Sequence, residues 1–332
     1  MTLKLMKISA MTAASVIAMA SAASAETKAL TVALPVNLCL ANWPFYVAAE
    51  NGEFAAEGLE VTMVGLDGSS TAIQATLAGQ AQIAATAPAD MLAASGAGAD
   101  VTGFYNFYQY LPFRLVTATD SDITSLADLE GKTVGITSAG GGEAIYMRSL
   151  LAHAGLSEGS YEELAVGEGS MAASAITGGA VDAHSASFVD EIIFGGMGLA
   201  YKALDSEGYP ATTGEMLMAQ TSYFNDNPDV IEGIGRALAR ATAAGLANRE
   251  LVVTACGNAA PHETEDMGFT NAVLDGVDAL FVLGDAAGGQ YGFIEETTWA
   301  AYKDLMVSIG AAGEEALAAP VSNAYVSAWN AE

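Results

Sequence analysis

The sequence predicts an α/β protein built from two similar lobes joined by two crossing segments, and three observations carry that prediction. A strand, capped loop, helix and strand recur in the same order roughly a hundred residues further on, one supersecondary unit used twice. Between the copies, Thr133-Val134-Gly135-Ile136-Thr137 is short, β-branched and apolar, as a strand buried in a parallel sheet should be. Ser138-Ala139-Gly140-Gly141-Gly142 then frees the backbone before helical spacing begins at Glu143.

Lys4 and Lys7 precede an alanine-rich apolar run, Ile8 to Ala20, and Ala23-Ser24-Ala25 offers small residues for cleavage, so residues 1–25 read as a secretory signal peptide. The run is too short to span a bilayer, and nothing later approaches the ~20 apolar residues a membrane helix needs. An exported mature chain follows. Cys39 comes after Val36-Asn37-Leu38, not the small residues of a lipoprotein cleavage site, so no lipid anchor is expected.

The first mature strand is Leu30 to Leu34, and Trp43-Pro44-Phe45-Tyr46 forms the loop before a helix at Val47-Ala48-Ala49-Glu50. The first unit then runs through a strand from Gly58 to Val64, the loop Asp67-Gly68-Ser69-Ser70, a helix from Thr71 to Leu77 stopped at Gly79, and a strand from Ala81 to Ala85. Its copy has a strand from Tyr161 to Val166, the loop Glu168-Gly169-Ser170, a helix from Met171 to Thr177 stopped at Gly178-Gly179, and a strand from Val181 to Ser185. The acid-Gly-Ser triplets correspond, as do Asp90 and Asp190 beyond each final strand. Phe104 to Tyr110 and the strand Phe113-Arg114-Leu115-Val116 cross into the second lobe. Gly214 to Ala219 brings the chain back, and Pro228-Asp229-Val230 opens a long helix to about Ala255.

With 332 residues the chain can hold two cores. Its 11 basic and 39 acidic residues give a net charge of −28, and loss of Lys4 and Lys7 makes the mature chain more acidic still. Nucleic acid is excluded as a partner, because phosphate binding needs clustered Lys and Arg. Cys39 and Cys256 are free either to pair in an oxidising compartment or to sit apart as small buried hydrophobes.

Ser125-Leu126-Ala127-Asp128-Leu129-Glu130-Gly131-Lys132-Thr133-Val134-Gly135 closely resembles a segment of the periplasmic solute-binding proteins of ABC importers, in the NMT1-like and SsuA-like branch that handles nitrate, sulfonates, taurine and thiamine-pyrimidine precursors. Glu50 to Leu59 is also worded like that branch. The resemblance implies a type II-like periplasmic binding protein fold: a discontinuous first lobe of residues 26–114 and 218–332, and a second lobe of residues 115–217. It further implies a periplasmic monomer that takes a small-molecule ligand and passes it to an ABC permease and its ATPase.

Site candidates follow from where the loops meet the cleft. Trp43 and Tyr46 sit on a rim loop and could stack on a flat or cationic ligand. Ser69, Ser70 and Ser170 belong to the twin loops. Ser138, Gly141 and Gly142 present a hydroxyl and backbone N–H groups at a helix start, a polar-facing or anion-facing element. Glu143 in that first turn satisfies the dipole internally and repels an anion, which favours a neutral or amine-bearing ligand. Thr86, His184 and Asp190 lie at or near matching strand ends, Asp190 also being able to cap the helix that follows it.

Catalytic patterns are missing from the sequence. His153, His184 and His262 have no i, i+4 partner, no cysteine pair has metal spacing, and no G-x-S-x-G elbow occurs, so neither metal nor cofactor is expected. Gly167-Glu168-Gly169-Ser170-Met171-Ala172 fits a loose dinucleotide fingerprint, but the twin loop Gly65-Leu66-Asp67-Gly68-Ser69-Ser70 breaks it. The reading is an exported receptor for a flat nitrogen heterocycle or an aromatic or amine-bearing acid, with a sulfonate, taurine or nitrate as the alternative. A pyrimidine-synthase-like enzyme on the same scaffold is the rival of another class, and it would need a cysteine cluster that this chain lacks.

Overall fold

Two five-stranded mixed sheets organise the chain, in a computed structural model that describes residues 27–206, 208–209, 214–283 and 289–331. The expected signal peptide lies outside the described residues. The first sheet has the order β2-β1-β3-β10-β4, from β1 (Lys28–Leu34), β2 (Leu59–Gly65), β3 (Ile83–Thr86), β4 (Val101–Asn106) and β10 (Met216–Gln220). The second has the order β7-β6-β8-β5-β9, from β5 (Phe113–Ala118), β6 (Thr133–Ile136), β7 (Glu162–Ala165), β8 (Ala183–Ser187) and β9 (Tyr201–Ala203). In each sheet three parallel strands adjoin one antiparallel strand, β10 against β3 and β5 against β8. The architecture is the two-lobed α/β arrangement that the repeated unit predicts.

Helices α1 (Trp43–Glu50), α2 (Glu53–Ala56), α3 (Ser69–Leu77) and α4 (Pro88–Gly96) belong to the first unit, and α5 (Gly142–His153), α6 (Ser170–Thr177) and α7 (Phe188–Gly196) to the second. After the return come α8 (Thr221–Asp226), α9 (Pro228–Ala247), α10 (Arg249–Ala259), α11 (Met267–Phe281), α12 (Glu296–Ser308) and α13 (Val326–Trp329). The repeat is thus realised as β2-α3-β3-α4 and β7-α6-β8-α7. Glycines stop α3 and α6 because Gly79 and Gly179 take the left-handed backbone that other residues avoid.

Three expectations shift. The helix after Pro228 breaks at Asn248, whose side chain accepts from Glu250 N and caps a new helix, so α9 and α10 replace one long rod. Helix α1 starts at Trp43, with Pro44 in the first turn, where a missing N–H costs no internal hydrogen bond. The crossing strands pair two residues before the expected lobe limits: Phe113 already pairs with Ser187 in the second sheet, and Met216 pairs with Thr86 in the first.

The first sheet is packed on one face by α1, α9, α11 and α13 around Trp43, Phe45, Leu238 and Trp329, and on the other by α3, α4 and α12 around Met91, Met216, Trp299 and Tyr302. The second sheet buries Val134, Leu150 and Leu151 with α5, and Val116, Ala173 and Phe194 with α6 and α7. Each such fully buried large side chain contributes about 1.5–3 kcal/mol. Cys39 and Cys256 are disulfide-bonded, Cα atoms 5.6 Å apart, and fasten the loop after β1 to α10. Glu263 reinforces that loop by accepting from Cys39 N and Leu40 N, both at 2.9 Å.

Candidate functional site between the lobes

Parallel strands send their following loops out along one edge, and the two edges face each other. They are close. A Cβ built at Gly68, in the β2–α3 loop, would stand 3.0 Å from Gly140 O in the β6–α5 loop. One built at Gly142 would stand 2.9 Å from the Ala87 methyl and 3.3 Å from Asp90 Oδ2. Elsewhere α7 meets α11, where Gly276 lets Phe188 and Ile192 pack against its backbone.

Carboxylates dominate this junction. Asp90, at the third position of α4, is 2% exposed; Ser70 Oγ donates to its Oδ1 at 2.8 Å, while Oδ2 has no donor among the described residues. Burial pushes its pKa up to about 7, the Glu143 carboxylate adding to the shift and the Ser70 hydrogen bond opposing it. Glu215, just before β10, is buried with Oε2 equally unpartnered, and burial with Asp90 nearby pushes it up to about 8. Burial also raises Glu143. Glu168 of one twin loop is raised by burial and by the negative charges of Asp190 and, from the other twin loop, Asp67. Arg148, the cation whose charge acts on Asp90, is engaged by Glu163 in a two-pronged pair at 2.6–3.1 Å.

The candidates from the sequence separate into those at the junction and those behind it. Ser138, Gly141, Gly142 and Glu143 are at it, but Glu143 folds back over the turn and accepts from Ser138 N at 3.3 Å. The turn that looked open to an anion therefore holds a carboxylate of its own. Ser69 and Ser70 organise the junction: Ser69 Oγ accepts from Ala87 N at 3.0 Å and Ser70 holds Asp90. Ser170 is exposed at the start of α6. Asp190 is fully engaged as a cap, Oδ1 accepting from Gly169 N at 2.6 Å and Oδ2 from Ser187 N and Oγ at 2.8 and 2.9 Å.

Trp43, expected at the rim, is instead a core residue. It is fully buried, edge-on to Phe281 at 5.1 Å, with its ring against Gly245 of α9, because starting α1 at Trp43 turns the indole inward. Tyr46 is half-buried beside Glu263, near the disulfide. Thr86 is buried at the end of β3, its hydroxyl 3.2 Å from Ala87 O. His184 lies inside the second lobe between Gly135 and Phe194, Nε2 4.0 Å from Asp190 Oδ2; burial lowers its pKa, so it is neutral at physiological pH. Sequence reasoning missed Asp90 and Glu215 as site residues.

Among the described residues, no group of three His, Cys, Asp or Glu side chains is arranged to hold a metal ion, and no helix is long and apolar enough to cross a membrane. The junction can therefore offer an organic guest carboxylate acceptors, with serines and aromatic rings alongside.

Comparison with known proteins agrees with this architecture. Among solved structures, similarity extends to a protein from Bordetella bronchiseptica RB50 (TM-score 0.72, 20% identity, covering 92% of this chain and 98% of that one). It extends also to the alkanesulfonate-binding protein SsuA from Xanthomonas axonopodis pv. citri bound to MOPS (0.68, 17%, 90% and 100%) and to the periplasmic aliphatic sulphonate binding protein SsuA from Escherichia coli (0.64, 18%, 87% and 94%). A search of curated proteins finds no match. The fold shared with these structures is that of periplasmic solute-binding proteins. The NMT1/THI5-like family profile matches residues 41–250, most of both lobes, and the chain belongs to that family.

Proposed function

We propose that this protein is an exported, periplasmic solute receptor that closes its two lobes over a small organic nutrient and delivers it, as a monomer, to an ABC permease and its ATPase. The family, the twin-lobed fold and the facing loop edges support the receptor reading. The guest is a flat nitrogen heterocycle or an amine-bearing or aromatic acid. One observation carries the nitrogen-bearing guests over a sulfonate or nitrate: among the described residues the facing edges bring together Asp90, Glu143, Glu168 and Glu215 with no free cation to balance them. A nitrogen base placed there meets carboxyls that can take its charge, whereas an oxyanion is accommodated only while those carboxyls keep their protons. The relatives named as sulfonate-binding favour the second reading, an anionic guest.

The test is a thermal-shift panel of pyrimidines, amines, aromatic acids, sulfonates and nitrate on the mature chain, followed by small-angle scattering with each hit. A guest that binds only the folded protein raises Tm by mass action. Compaction on adding a nitrogen base supports the proposal. Compaction with sulfonates alone transfers it to the alternative, and chemical turnover of any guest refutes it.

A further inference from the structure

Because the two lobes repeat one unit, each serves as a control for the other, and they differ at the cap of the helix that follows β3 and β8. In the second lobe Ser187 caps α7 and gives both its N–H and its hydroxyl to Asp190, whose other oxygen takes Gly169 N. In the first lobe the equivalent cap of α4 is Ala87. It has no hydroxyl, and its N–H is already taken by Ser69 Oγ. Asp90, the equivalent of Asp190, is left with Ser70 alone.

From this asymmetry we infer that Asp90 Oδ2 is the atom that recognises the guest, accepting from a protonated amine or amidine at the N-terminal face of α5. The inference rests on the solute-receptor reading above and names its contact. Oδ2 is without a donor among the described residues on a side chain that is 2% exposed, and it points across the junction at Gly142. The same Gly142 position has the Phe113 ring edge at 3.5 Å, so an apolar wall stands beside the acceptor. Glu215 adds a second buried, unpartnered carboxyl oxygen nearby, which accepts once the group has ionised. An ammonium or amidinium brings both missing elements, an N–H and a compensating charge. A sulfonate brings neither. The α5 N-terminus gives Oδ2 no hydrogen bond. Gly142 is needed for the approach, since any side chain would collide with the Ala87 methyl.

The experiment uses the mature chain and defined probes, benzylamine, benzamidine and guanidinium against ethanesulfonate and nitrate, with calorimetric titration at pH 8. The best cationic probe is then titrated into Asp90→Asn and Ala87→Ser, the second of which installs the hydroxyl that the other lobe already has. Both variants are expected to bind at least tenfold more weakly while keeping the wild-type circular dichroism spectrum. Ala87→Ser is expected to melt at a higher temperature than wild type. Cation affinities within twofold of wild type in both variants overturn the assignment of Asp90 and leave the receptor reading standing. Binding of anions only, or of no cationic probe at millimolar concentration, overturns the cationic contact itself, and the scattering experiment above decides separately whether the lobes close on anything.

Discussion

The hydroxyls of Tyr209 and Tyr302 lie 3.4 Å apart across the boundary between the lobes, and Tyr209 also shares a 2.6 Å hydrogen bond with Ser149 of α5. Tyr302 belongs to α12 and packs in the first lobe, while Tyr146 of α5 meets Tyr209 edge-on at 5.7 Å. A hydroxyl chain thus holds α5 against α12 when the lobes are together.

Tyr302→Phe should therefore leave both cores intact and loosen closure. A neutral hydrogen bond of this kind contributes about 0.5–1.5 kcal/mol, so affinity for the best probe should fall roughly two- to twelvefold. Calorimetry measures it, and scattering should show a larger radius of gyration at subsaturating ligand. Unaltered affinity and radius would mean the contact does not report closure.

Asp90 and Glu215 give opposite pH trends for stability and for binding. An acid whose folded-state pKa is raised holds its proton more tightly when folded, so its contribution is most favourable below the unfolded pKa and declines as pH rises through the folded value, here about 7 for Asp90 and about 8 for Glu215. The groups acting on Asp90 are Ser70, Glu143, Arg148 and Glu215, and the Tyr302 phenol also senses its charge. Between pH 5 and pH 7 the ligand-free wild type should lose about 2 kcal/mol of stability relative to Asp90→Asn, since each pH unit in this window is worth up to about 1.4 kcal/mol. Affinity for a cationic probe should rise over the same range, as ionisation supplies its partner. Denaturant melts and titrations at the two pH values check both, and a wild-type-to-variant difference that stays flat with pH would contradict the buried, titrating Asp90.

The disulfide joins residues 217 apart in sequence. Replacing both Cys39 and Cys256 by Ser should cost about 2–5 kcal/mol, chiefly by releasing the unfolded chain. Reductant should lower the Tm of wild type and leave that of the double variant unchanged.

Trp43→Ala is a test of the core, not of the cleft. Deleting a fully buried indole should cost about 3–5 kcal/mol with probe affinity unchanged once folded. A selective loss of affinity would return Trp43 to the site.

The duplicated unit was legible because each copy carries its own strand, acid-Gly-Ser loop and glycine stop, local signals that need no tertiary knowledge. Trp43 was misplaced because an aromatic-proline pair reads equally as a rim loop or a first helical turn, and only packing against Phe281 and Gly245 decides. Asp90 matches Asp190, which the capping box of α7 occupies, so its position gave no sign of a free carboxylate. The distinguishing letter was visible, Ala87 against Ser187, but its meaning depends on Ser69 occupying the Ala87 N–H, a contact 18 residues away. Glu215 gave no signal: its burial follows from pairing of the returning strand, which sequence periodicity does not report.

The place of β10 in the first sheet bears on the order of assembly. It lies fourth of five, between β3 and β4, so that sheet has a gap until residue 220 is available, whereas the second sheet is contiguous from Phe113 to Ala203. The later-made half can thus solidify while the earlier-made half waits for its missing strand. Pulse-labelled hydrogen exchange during refolding should protect Val134 before Ile83, and the reverse order would show that the first sheet forms without its insert.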